Sequence, residues 1–249
     1  MAGIEKIYGL HAVGAFLARD PERVQRLWLQ AGRRDGRIAD VEKLARAAGI
    51  AIAAGNPAEL DRMVEGAVHQ GVVAEVRARE PLGEDELPFL LEKVSGLPLV
   101  LLLDGVQDPH NLGACLRTAD AAGVHAVVVP RDRASGLTPV ARKVAAGAAE
   151  SVPFVQVTNL SRTMKALKEQ GLWIIGTEEE AACELYGADL NLPLAVVMGA
   201  EGRGMRRLTR DHCDFTVRLP MRGAVESLNV SVATGVVLYE ALRQRTAGR

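Results

Sequence analysis

Leu99-Val-Leu-Leu-Leu103, together with the segment that follows it, Asp104-Gly-Val-Gln-Asp-Pro-His-Asn-Leu-Gly-Ala-Cys-Leu-Arg-Thr-Ala119, decides how the rest of the chain is read. Five apolar residues in unbroken succession suit a strand covered on both faces, the condition of a strand inside a parallel sheet. The chain then turns polar and resumes at helical spacing. Pro109 with Asn111 as N-cap predicts a helix over 111–122. The same order recurs downstream: apolar runs at 126–129, 172–175 and 194–198, helical stretches at 139–146, 160–169 and 205–212. Such alternation predicts an α/β domain, a mostly parallel sheet with helices on both sides. A long helix closes the chain over 227–245, with Ser227 as its N-cap and Asn229 in its first turn. Its Val232, Val236, Tyr239 and Leu242 recur at helical spacing, a packing stripe either inside the domain or at a dimer interface.

Upstream, the first 76 residues read as a compact α/β unit. Helices are expected over 8–18, 37–48 and 57–64, the last entered by Pro57, and strands over 24–29, 50–53 and 72–76. The texture then changes to an acidic stretch holding Pro81, Gly83, Pro88 and Pro98, with one helix over 84–94. This gives a small domain over 1–76, a linker over 77–97 that includes a helix or docks one onto the next domain, and a main domain over 98–249.

The chain has 249 residues, 48% of them apolar and 24% charged, enough for a sizeable core and against disorder. No run of about 20 apolar residues offers a membrane span, and the first residues lack the basic region and apolar core of a secretory signal. Cys115, Cys183 and Cys213 form no CxxC pair, and the five histidines show no metal spacing. Reduced thiols, no metal and a cytoplasmic location are therefore expected. A net charge of −1 argues against a protein that coats nucleic acid. Cations are nonetheless clustered, at Arg33, Arg34 and Arg37, at Arg131, Arg133, Arg142 and Lys143, and at Arg203, Arg206, Arg207 and Arg210.

Three loops follow strands, where parallel sheets collect their ligands. In the first, Arg117 lies near two turns into the helix; it either pairs with Asp120 on the surface or binds phosphate or ribose. The second, Met198-Gly-Ala-Glu-Gly-Arg-Gly204, has three glycines in six positions, yet fits neither a Walker A loop nor a dinucleotide turn. Its Glu201 either caps a helix or accepts hydrogen bonds from a nucleoside. The third runs Leu219-Pro-Met-Arg-Gly-Ala-Val-Glu-Ser-Leu-Asn-Val-Ser231. Spacing alone goes no further than an α/β ligand-binding enzyme.

Taken in order, Asp104…Asn111-Leu-Gly…Arg117, Met198…Gly204 and Pro220…Ser227-Leu-Asn229 resemble the three motifs of the SpoU (TrmH) branch of the SPOUT methyltransferases, and Lys143-Val-Ala-Ala-Gly-Ala-Ala-Glu-Ser-Val-Pro153 is similar to that family too. The likeness covers about 99–245. Ile7-Tyr-Gly-Leu-His-Ala-Val-Gly14 is similar to the substrate-binding domain of its ribosomal-RNA members, the guanosine 2′-O-methyltransferases of 23S rRNA above all. The resemblance implies a parallel-sheet SPOUT domain with a C-terminal deep trefoil knot, preceded by a small α/β RNA-binding domain. It implies S-adenosylmethionine as cofactor, lined by Gly199, Leu219 and Leu228, and a homodimer acting on RNA, not DNA. It places Asn111, Arg117, Glu201, Ser227 and Asn229 at the catalytic site. The family assigns Arg117 as the base, a difficult role because a guanidinium rarely releases its proton. Holding the target phosphate and polarising the hydroxyl suits it better. A tRNA ribose methyltransferase, or a knotted RNA-binding assembly factor without activity, remain the alternatives.

Overall fold

The computed structural model describes residues 3–33 and 35–247, so Arg34 of the N-terminal arginine cluster lies outside the described residues. The chain forms two compact units, with the boundary between Glu80 and Pro81.

The first unit is a four-stranded sheet in the order β1-β4-β2-β3, built from β1 (Ile4–Tyr8), β2 (Val24–Gln30), β3 (Ile52–Gly55) and β4 (Val72–Arg77). β1 and β2 run antiparallel to β4, and β3 runs parallel to β2. Residues alternate across β2: Leu27 and Leu29 join the core that α1 (Leu10–Arg19) and α2 (Gly36–Ala47) cover, while Trp28 packs with α3 (Pro57–Met63). α3 starts with a capping box in which Asn56 Oδ1 accepts from the Glu59 amide and Glu59 Oε2 from the Asn56 amide, both at 2.9 Å. Strand β1 is absent from the sequence reading, which has a helix from Tyr8. Five residues of alternating exposure are a weak local signal, and their strand state comes from pairing with β4.

The second unit holds a seven-stranded sheet in the order β7-β6-β5-β10-β8-β11-β9, every neighbouring pair parallel. The strands are β5 (Leu99–Asp104), β6 (Ala126–Pro130), β7 (Phe154–Val157), β8 (Trp173–Thr177), β9 (Cys183–Glu184), β10 (Leu194–Gly199) and β11 (Phe215–Arg218). Leu99, Leu101 and Leu103 belong to one core with α5 (Pro109–Ala121), α6 (Pro139–Ala145), α7 (Ala148–Ser151) and α10 (Val230–Ala247). Val100 and Leu102 belong to the other, with α4 (Leu87–Glu92) and α8 (Leu160–Glu169). Both faces of β5 are thus covered, which is why its apolar run is unbroken. Because Leu87 and Leu91 of α4 sit in this second core, most of the segment read as a linker is packed into the unit that follows it.

Several boundaries shift. The cap of α5 is Asp108, whose Oδ1 accepts from the His110 amide at 2.9 Å, with Pro109 at the first helical position; Asn111 lies one turn inside. α9 is confined to Arg207–Asp211. Ser227 is not the cap of α10: Asn229 is, its carbonyl accepting from the Ala233 amide and its Oδ1 from the Ser231 amide, both at 2.9 Å. On α10 the core side carries Ala233, Val237, Leu238 and Ala241, whereas Val232 and Tyr239 of the expected stripe are 52% and 51% exposed. Among the described residues no helix is long and apolar enough to cross a membrane.

Candidate active site

Asn111, Glu201 and Asn229, separated by up to 118 positions in the chain, meet beyond the carboxyl ends of β5, β10 and β11. Asn111 is buried in the first turns of α5. Its Oδ1 accepts from Asn229 Nδ2 at 2.9 Å, and the same nitrogen donates to Glu201 Oε1 at 2.5 Å. The Val230 amide adds a longer bond to that carboxylate oxygen at 3.4 Å. Asn229 Oδ1 meanwhile accepts from the Ser231 amide and from Ser231 Oγ at 2.6 Å. One asparagine therefore starts α10 and orients Glu201.

The loop that carries Glu201 is folded tightly on itself. Ala200 and Gly204 exchange backbone hydrogen bonds of 3.1 and 2.9 Å, and Gly202 and Gly204 take φ of +71° and +63°, a region that residues with a Cβ rarely enter. Gly199 sits where a Cβ would stand 2.2 Å from Gly204 C and 2.4 Å from Met205 N, so its bareness makes room for the loop's own backbone. The loop is also anchored from below. Asp104, 1% exposed at the end of β5, accepts from the Arg206 amide at 2.8 Å and from its Nε at 2.6 Å. Sequence reasoning quoted Asp104 and gave it no role. A carboxylate ending an otherwise wholly apolar run was the available signal, since such a group is buried only when it is paired.

α5 is held in place by α6 and α7, the segment whose likeness to the family had no assigned purpose. A Cβ on Gly113 would lie 2.5 Å from the Ala141 carbonyl oxygen and 2.7 Å from Val144 Cβ. Between those two helices, Arg142 donates to the buried Glu150 at 2.6 Å. From the other side α10 touches α5 where Cys115 Sγ lies 3.5 Å from Thr234 Oγ1. Burial pushes the Cys115 thiol up to about 11, so it stays protonated.

Two expected site residues stand apart. Arg117 is exposed, its side chain making no ion pair to Asp120 and no hydrogen bond among the described residues; the Ser227 side chain is exposed and also unbonded. Leu219 is partly buried against the first core and Leu228 is 37% exposed. From Leu219 to Leu228 no backbone amide or carbonyl finds a hydrogen-bond partner among the described residues. Ten residues of free main-chain donors and acceptors, flanked by two leucines, fit an adenosine that is held by backbone groups and apolar side chains. No group of three or more His, Cys, Asp or Glu is placed to bind a metal among the described residues.

Comparison with known proteins identifies the family of the chain. Residues 98–239 match the SpoU rRNA Methylase family and residues 6–82 match the family described as RNA 2′-O ribose methyltransferase substrate binding. The chain is 58% identical over 249 residues to the 23S rRNA (guanosine-2′-O-)-methyltransferase RlmB of Pseudomonas syringae pv. tomato, covering 100% of this chain and 99% of the relative. It is 54% identical over 242 residues to RlmB of Escherichia coli K12, covering 97% and 99%. Among solved structures, the SpoU methyltransferase AviRb of Streptomyces viridochromogenes in complex with AdoMet superposes with a TM-score of 0.76 at 28% identity, covering 99% of this chain and 92% of that one. Matched over residues 98–239, and sharing full-length likeness with such relatives, the chain belongs to the SpoU rRNA methylase family.

Proposed function

We propose that this protein transfers a methyl group from S-adenosylmethionine to the ribose 2′-hydroxyl of a guanosine in 23S rRNA. The observation that carries the reading is the hydrogen-bonded set Asn111–Asn229–Glu201 beside a ten-residue loop with no backbone partner. S-adenosylmethionine, when bound, supplies an electrophilic methyl group on a sulfonium. The task left to the chain is positioning, which is able to supply about 7–11 kcal/mol of a reaction barrier. Gly199, Leu219 and Leu228 line the cofactor's side. Glu201, fixed by Asn229, and Asn111 orient the ribose and base, and Ser227, unbonded in the protein, presents its hydroxyl to the substrate. Arg117, without a carboxylate partner, is free to grip the target phosphate with its fork and to polarise the hydroxyl. The hydroxyl proton leaves to that phosphate or to water.

The first unit grips the RNA around the target. A second copy of the chain covers the shallow apolar groove of Ala114, Thr118, Val232, Gly235, Val236 and Tyr239, which flanks Arg117 on α5. The C-terminal segment, which leaves β11 and reaches both Asn111 and Glu201, follows the family's trefoil-knot path. A 23S rRNA substrate places the work in the bacterial cytoplasm.

Methyl transfer from labelled S-adenosylmethionine to 23S rRNA, to bulk tRNA and to a 2′-deoxy copy of the methylated fragment tests the reading. Label on 23S rRNA alone supports substrate and acceptor together. Label on tRNA alone overturns the substrate, and label on the 2′-deoxy copy overturns the acceptor. No label on any RNA overturns the methyl-transfer reading and leaves an RNA-binding module. Arg117→Lys keeps the charge but loses the fork, and kcat/KM is expected to fall about tenfold or more. Near-normal turnover sinks the bidentate role.

A further inference from the structure

Apart from Arg245, whose guanidinium donates to backbone carbonyls, the described arginines of the second unit fall into two groups. Arg142, Arg162, Arg206, Arg210, Arg218 and Arg243 each hold a carboxylate, from Glu150, Glu84, Asp104, Glu178, Glu184 and Glu240. Arg117, Arg131, Arg133, Arg203, Arg207 and Arg222 are exposed and have neither ion pair nor side-chain hydrogen bond among the described residues. Acidic partners are not scarce, for the chain has 31 acidic residues against 30 basic ones. Every unpaired arginine nevertheless lies in a segment that leaves the carboxyl end of a parallel strand: β5 for Arg117, β6 for Arg131 and Arg133, β10 for Arg203 and Arg207, β11 for Arg222. The two arginine clusters seen in this part of the sequence thus separate into members locked to carboxylates and members left open.

The segments after β5, β6 and β10 are neighbours in space as well, and the one after β11 ends at Asn229, bonded to Asn111 and Glu201. A Cβ on Gly105 would lie 3.7 Å from both Ala200 Cβ and the Arg133 carbonyl oxygen, and the Ser135 amide donates to the Val106 carbonyl at 2.8 Å. Arg133 itself holds φ of +59°, uncommon for a residue with a long side chain. Of the acidic groups on the same segments, Asp108 is engaged at the cap of α5 and Glu201 by Asn229. Asp132 and Glu226 are exposed and pair with none of these arginines.

We propose that Arg131, Arg133, Arg203, Arg207 and Arg222 form a phosphate-binding ridge that grips the RNA backbone on either side of the methylated nucleotide. The proposal rests on the RNA methyl-transfer reading, with Arg117 serving the target itself. Guanidinium forks match phosphate oxygens, and an open cluster of one sign raises the local potential for a polyanion despite a net charge of −1. Such contacts position the strand without reading its sequence. They also release counterions, so they leave a signature in the salt dependence of binding.

Filter binding of the full-length protein to a 23S rRNA transcript over a series of KCl concentrations reads that signature. The slope of log K against log salt is expected to fall by about 0.7–0.9 for each phosphate contact removed. Arg131→Gln with Arg133→Gln should therefore lower it by about 1.5, and Arg222→Gln by somewhat under 1. KM for RNA rises in both variants, kcat at saturating RNA holds in the Arg131→Gln with Arg133→Gln variant, and calorimetric S-adenosylmethionine affinity checks that the loops are intact. Arg162→Gln, taken from the paired group, leaves the slope as in the unaltered protein. An unchanged slope in the first two variants, or an equal fall in Arg162→Gln, overturns the ridge. Should the unaltered protein methylate 23S rRNA while its slope ignores these arginines, the ridge fails and the methyl-transfer reading stands. Should it methylate no RNA yet lose slope as expected, the ridge stands and that reading fails.

Discussion

The two ends of the seven-stranded sheet are built to opposite rules. At the amino ends, polar side chains find their partners within the protein. Arg245 donates to the carbonyls of Leu97, Pro98, Leu190 and Leu192, at 2.9, 3.1, 3.4 and 2.6 Å. Asp214 accepts from the Ile174 amide and from Lys168, both at 2.8 Å, and His125 Nδ1 accepts from the Leu99 amide at 3.0 Å. At the carboxyl ends the chain leaves six arginines unpaired and ten residues of backbone unbonded. Both ends use the same residue types, so composition does not separate them. What differs is whether the partners come from the protein or are left for a ligand.

Breaking the open end should change chemistry far more than it costs the fold, which loses about 1 kcal/mol with one helix cap. Asn229→Ala removes the donor shared by Asn111 and Glu201, and kcat is expected to fall about a hundredfold or more, because small misplacements of reacting groups are that costly. Steady-state kinetics with stopped-flow binding checks it; a loss confined to KM contradicts a role in orientation. The closed end should respond in reverse. Arg245→Ala orphans up to three carbonyl oxygens, since that of Pro98 keeps the Leu194 amide, and is expected to lower unfolding stability by about 3 kcal/mol, at roughly 1–3 kcal/mol per buried orphan with water reaching some. Urea melts measure this, and unchanged kcat at low temperature completes the contrast.

Gly113→Ala probes the seam between the ends. Its new methyl group has Ala141 O at 2.5 Å, so overpacking of about 1–3 kcal/mol is expected, along with a smaller drop in activity as α5 shifts. A melt indistinguishable from the unaltered protein refutes that tight contact. The smallest effect belongs to His125. Burial holds its pKa below the ordinary 6.5, so its neutral form is favoured in the folded state. The stability it contributes is complete above pH 6.5 and is lost as the pH falls through the lower folded value. His125→Asn should flatten the decline of stability between neutral and mildly acidic pH, and an unaltered decline rules His125 out as its source.

The closed architecture was the more legible part in the sequence. Unbroken runs such as Leu99–Leu103 and Leu194–Met198 announce buried parallel strands wherever both faces are covered. Short strands such as Phe154–Val157 and Phe215–Arg218 carry too few residues to signal themselves, and neither was expected. Caps were ambiguous for a different reason. Asp108 and Asn111, like Ser227 and Asn229, are equally good capping residues a few positions apart, and only the amide each one reaches decides between them. α10 is apolar on nearly every side, so no stripe could be phased from spacing, and the one read lay a residue away from the buried Ala233 and Val237. The meeting of Asn111, Glu201 and Asn229 followed from family likeness. The Asp104–Arg206 anchor did not, because it joins residues 102 positions apart.

The segment from Leu219 to Leu228 also has a kinetic consequence. Amide hydrogens without an acceptor exchange with solvent at close to the rate of an unstructured peptide, long before the sheet beside them opens. On the proposed reading, S-adenosylmethionine bonds those amides and is expected to slow that exchange. Deuterium uptake over 219–228 is thus a built-in occupancy gauge, readable without following the reaction. The same ordering subtracts from measured affinity, since binding must quiet a main chain that the fold itself left free.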